Sequence, residues 1–134
     1  MSQGTYRRRT ERGILIWQTE RLWALAADLP ILRIPIDEIR ALDEVRWFGR
    51  DGNGPQPTCR AVAIHAQKIA EADLAYPIIL ASDGDVMDGM HRIARALQLG
   101  STEIEAVRFP TDPPPDEIIP QPAPRRLRWF RFPA

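Results

Sequence analysis

The sequence predicts a mixed α/β (α+β) domain built on a small mixed sheet, and three observations carry that expectation. Short apolar runs of strand length alternate with stretches of helical period. An Asp-Gly pair, Asp83-Gly84, sits between two such runs and marks a tight hairpin. The second run then feeds directly into a helical pattern that closes on Gly100. With 134 residues, 44% apolar and 27% charged, the chain is one ordinary domain with enough material for a core of its own.

Residues 1–13 read as a flexible, Arg-rich arm, with packing expected from Ile14. Ile14 to Trp17 is a strand-like run. Thr19 is placed to cap a helix carrying Leu22, Trp23, Leu25 and Ala26, which Pro30 ends. Ile31 to Ile36 is a second strand, and Asp37 an N-cap for a short helix with Ile39 and Leu42. Residues 49–57, with three Gly and two Pro, form a loop that could close over a site or merely connect. Thr58 caps a long helix to about Ala72, whose expected apolar stripe is Val62, Ala66, Ile69 and Ala70. His65, in its middle, is expected to face solvent. Ile78 to Ala81 and Asp85 to Met87 form the hairpin, residues 89–99 a helix, and Glu103 to Phe109 a last strand. The domain thus spans 14–109. Residues 110–134 hold eight of the thirteen prolines and form a tail that ends in Arg interleaved with Trp and Phe, from Arg125 to Phe132.

Net charge is zero, so no global field attracts nucleic acid or lipid. The single Cys59 excludes an intrachain disulfide framework and a multi-Cys zinc site, and reads as a small core residue rather than a nucleophile. Nothing approaches the ~20 apolar residues of a spanning helix, and no leader is evident, so a cytoplasmic protein without a membrane partner is expected.

The segment with chemistry in it is Asp88-Gly89-Met90-His91-Arg92. A glycine at a strand-to-helix junction lets backbone N–H groups approach a ligand, and the first turn of a helix offers unpaired donors and partial positive charge. That makes an anion site, to which His91 adds a titratable donor and Arg92 a planar fork. Asp88 sits at or beside the N-cap.

Residues 82–96, with Leu99-Gly100 and Ile104 beyond and Ile34-Pro35-Ile36-Asp37-Glu38-Ile39 upstream, resemble the ParB N-terminal domain/sulfiredoxin superfamily over roughly residues 30 to 109. The resemblance implies that Gly89, Met90, His91 and Arg92 hold a nucleotide phosphate, of CTP in partition proteins and of ATP or ADP in sulfiredoxins and free-serine kinases. Met90 stands where sulfiredoxins carry the catalytic cysteine, which excludes that reaction. The box lacks the Glu and first Arg of partition proteins, and no helix-turn-helix fits into the tail. The nearest match is the free-serine kinase type, which implies a Mg2+-dependent phosphotransferase or NTPase acting on a small hydroxyl-bearing substrate. Glu44 is then the candidate general base or magnesium ligand. Asp88 would orient the acceptor or the metal, and His91 would hold the transferred phosphate. Two alternatives stay open: a DNA-associated partition accessory or nuclease-like protein, and a non-catalytic nucleotide sensor. Trp47-Phe48 is either core or the lining of a pocket.

Overall fold

The computed structural model describes residues 4–49 and 53–120. It opens with a hairpin of β1 (Thr5–Thr10) and β2 (Gly13–Gln18), which runs straight into α1 (Thr19–Ala26). Strand β3 (Leu32–Pro35) follows, then two 3₁₀ turns at Ile36–Glu38 and Arg40–Asp43. After α2 (Cys59–Glu71) come β4 (Ile78–Leu80), β5 (Val86–Asp88), α3 (Met90–Gln98), β6 (Glu103–Arg108) and β7 (Glu117–Ile119).

The main sheet has the order β3-β6-β4-β5. Strands β4 and β6 are parallel, and the other pairs antiparallel. The sheet is mixed because β4 and β5 form a hairpin, after which α3 carries the chain back to lay β6 on the far side of β4. Central β4 is apolar throughout because both of its faces are covered. Ile78 and Leu80 pack with Ile93 and Ala96 of α3, with Ile104 and Ala106 of β6, and with Ile36, Ile39 and Ala41 of the turns. Ile79 and Ala81 point the other way, into a second cluster with Tyr6, Trp17, Leu22, Ala26, Val107 and Phe109. Alternation along one short strand thus holds two cores together.

The sequence expectation of a mixed α/β class with a mixed sheet holds, and so does much of its punctuation. Thr58 Oγ1 accepts from the Ala61 N–H at 3.1 Å and caps α2. Gly100, at φ 77°, closes α3: its N–H bonds Leu97 O, while the Ser101 N–H bonds Ala96 O.

Several local expectations are corrected. Residues 5–10, taken as part of a flexible arm, are β1, paired residue by residue with β2 and anchored by buried Tyr6. The Pro-rich segment is likewise not wholly a tail. Pro113 O accepts from Trp17 Nε1 at 2.8 Å, and β7 adds to β2, making a second, three-stranded sheet in the order β1-β2-β7. Thr19 does not cap α1. Its hydroxyl donates to Gly4 O and accepts from Gly4 N–H, pinning the start of β1. Asp37 caps nothing, since the segment closes into two 3₁₀ turns entered from Pro35 and Ile39. Cys59, expected in the core, is exposed at the start of α2. Arg125 to Phe132 lie outside the described residues.

Candidate functional site

The strand β5 delivers its last residue, Asp88, to the mouth of a cleft of about 1030 Å³. Gly89 turns the chain at φ 120° and is the N-cap of α3; no side chain caps that helix. Asp88 thus stands beside the N-cap, one of the two places expected for it, without capping the helix itself. A Cβ at Gly89 would lie 2.5 Å from Ile78 Cγ2, so both the dihedral and the space demand glycine here. The first helical bond runs from Ile93 N–H to Gly89 O at 2.9 Å. The N–H groups of Met90, His91 and Arg92 precede it, as in the first turn of any helix.

The three side chains after Gly89 differ in their surroundings. Met90 packs against the first core cluster while also lining the cleft. Arg92 is only 8% exposed. Its Nη2 donates to Asp88 Oδ2 at 3.1 Å, and its guanidinium carbon lies 5.1 Å from the Trp23 ring centroid. The same Asp88 oxygen accepts from Trp23 Nε1 at 2.9 Å. Arg92 Nε, also buried, has no hydrogen-bond partner among the described residues.

His91 carries the least expected geometry. Its Nε2 lies 2.8 Å from His65 Nδ1 on α2. The two rings are nearly coplanar, at 12° with centroids 5.1 Å apart, and so meet edge to edge. Trp47 lies flat across both, 4.5 Å from His91 at 6° and 4.7 Å from His65 at 13°. Phe48 meets His65 edge-on at 5.4 Å. Burial, followed by the proximity of His65 and Lys68, pushes His91 down to about 4; burial and then Lys68 lower His65. Both imidazoles are therefore neutral at pH 7.

His65 was expected to face solvent, and the structure corrects this. The phase of α2 is the reason. Its half-buried residues are Ala61, His65 and Ile69, with Ala72 at its C-cap, a stripe turned from the expected one, and α2 packs on α3. Val62 is left 49% exposed. The sequence signal for His65 was its place in that i, i+4, i+8 register, shared with Ile69.

Glu44, Arg46, Trp47, Lys68 and Tyr76 line the same cleft as residues 88–92. The expected base and the expected phosphate box are thus brought to one opening. Arg46 organises that wall: Nη1 donates to Glu44 Oε1 and Asp85 Oδ1, both at 3.0 Å, and Nη2 donates to Val86 O at 2.6 Å. Asp85 also accepts from the buried Tyr6 hydroxyl, and these donors hold its carboxyl below the usual range against the cost of burial. Sequence reasoning missed Arg46, Lys68 and Trp23, whose types and spacing carry no motif. Among the described residues no cluster of three or more His, Cys, Asp or Glu could cage a metal, and no helix is long and apolar enough to cross a membrane.

Compared with known proteins, the chain matches no family model, no curated protein and no solved structure.

Proposed function

We propose that the protein binds a nucleotide, ATP, ADP or CTP, with its phosphates against the start of α3, and transfers or hydrolyses a phosphoryl group with Mg2+. In this reading the chain is a stand-alone member of the ParB N-terminal domain/sulfiredoxin superfamily, acting on a small hydroxyl-bearing substrate.

The observation that carries the reading is the Gly89–Arg92 turn at the cleft. Open N–H donors and a positive helix end meet the cleft there, and Arg92, whose buried Nε has no hydrogen-bond partner among the described residues, lines it as well. Arg46 and Lys68 add positive charge to the walls. Asp88 serves the site through Arg92, fixing the guanidinium against Trp23. Glu44 is a carboxylate of the cleft open to a ligand: its side chain is 43% exposed, and Arg46 holds it by a single donor.

The donor set fits magnesium in its usual form in phosphoryl transfer, where one or two carboxylates share the ion with substrate phosphates. Glu44 would hold it, and bound Mg2+ would offset charge on the transferred phosphoryl group. What the chain itself supplies is orientation: backbone donors and His91 for the phosphates, and the Glu44 carboxylate toward the acceptor hydroxyl.

Phosphate release and acceptor phosphorylation, measured with Mg-ATP and Mg-CTP over a panel of small alcohols and amino acids, test the proposal. Glu44→Gln is expected to lower turnover at least a hundredfold, the usual worth of a positioned base. Binding without turnover in the unaltered protein would point instead to a sensor.

A further inference from the structure

We infer that His65 is a positioning residue for the phosphate site: with a phosphate on the start of α3, it holds His91 in the neutral tautomer that carries its proton on Nδ1. The inference rests on the reading of the cleft just given and adds a residue to it.

The contact between His65 Nδ1 and His91 Nε2 has one donor and one acceptor. Two neutral arrangements satisfy it. If His91 donates, its Nδ1 is left as a bare lone pair, which repels a phosphate oxygen. If His65 donates, His91 Nδ1 keeps its proton and is a donor to that oxygen. A bound phosphate therefore selects the second arrangement, and His65 makes it available without a net charge.

The surroundings support a neutral pair. Lys68 from α2 and Arg92 from α3 oppose a charge on His91, as does His65 itself, and only Asp88 from β5 favours one. A doubly charged pair would set two cations 2.8 Å apart. Trp47, flat across both rings, holds them coplanar, which is the alignment an N–H···N bond requires. His65 alone would bring nothing to the cleft; its place is behind His91, in the way that an outer histidine partner fixes which nitrogen of the inner one is used.

The test uses Mg-ATP and inorganic tripolyphosphate as probes, with affinities from calorimetry between pH 6 and 8. It compares the unaltered protein with His65→Leu and His65→Asn, the latter because an asparagine amide nitrogen can take the place of Nδ1 as a donor. His65→Leu is expected to weaken both ligands about tenfold, the worth of one charge-assisted hydrogen bond. His65→Asn is expected to recover most of the loss. Nitrogen NMR of the loaded protein is expected to show His91 protonated on Nδ1. Equal losses in the two variants, no loss in either, or His91 protonated on Nε2 in the loaded protein would overturn the role of His65 while leaving the cleft reading standing. Failure of the unaltered protein to bind either ligand would overturn that reading and the inference with it.

Discussion

His91 titrates near 4 because burial disfavours its charged form and because His65 and Lys68 lie beside it. The unfolded chain, with an ordinary imidazole near 6.5, takes up the proton first as pH falls. The stability from keeping His91 neutral is therefore fully present above about pH 6.5 and is lost as pH falls toward 4. His65, lowered by burial and Lys68, adds in the same direction. Denaturant titrations at pH 7.5 and pH 5.5 are expected to show lower stability at the acid value. His91→Gln is expected to flatten that difference, and an unchanged difference in the variant would contradict the assignment. Arg92 is the other residue whose state was not legible beforehand. Its identity pointed to a planar fork for phosphate; the structure buries that fork against Trp23 and pairs it with Asp88, because α1 and the β5–α3 junction meet there.

At the scale of elements, the junction from β5 to α3 sets the geometry of the site. Gly89 combines a φ of 120° with a backbone lying against Ile78, so that an added methyl strains the dihedral and collides with the strand below. Gly89→Ala is expected to cost about 2–4 kcal/mol of stability, strain and overpacking together, read from urea midpoints at constant slope. A cost under about 0.5 kcal/mol, the level of an ordinary surface change, would mean that the turn is not held as described. This junction was legible because its signals are local: Asp-Gly for the hairpin, a glycine before the helix, and Gly100 after it. The phase of α2 was not legible. Val62, Ala66, Ile69 and Ala70 make as regular a stripe as Ala61, His65, Ile69 and Ala72. Only the packing of α2 on α3 chooses between them, and it places a histidine where an apolar residue was expected.

In the whole molecule, two cores meet back to back across β4, and the cleft opens where the β1–β2 hairpin, α2 and the start of α3 come together. The strands of the four-stranded sheet were readable from runs and turns, though not their order or their separation from β2. The three-stranded sheet was hidden because Arg7, Arg8 and Arg9 in β1 look like a solvated arm, and because β7 follows a Pro-rich stretch. Their strand character comes from pairing with β2 rather than from their own composition. The site was readable as a motif and as one carboxylate, Glu44, but not as an assembly, since Arg46, Trp47, His65 and Lys68 join it only through tertiary packing. The central claim is that this opening takes a nucleotide by its phosphates. Calorimetric titration of the unaltered protein with Mg-ATP and Mg-CTP, each repeated in the presence of tripolyphosphate, tests it most directly. Saturable one-to-one binding of at least one nucleotide, competed away by tripolyphosphate, is the expected result; no binding of either nucleotide, or binding that tripolyphosphate leaves untouched, would contradict it.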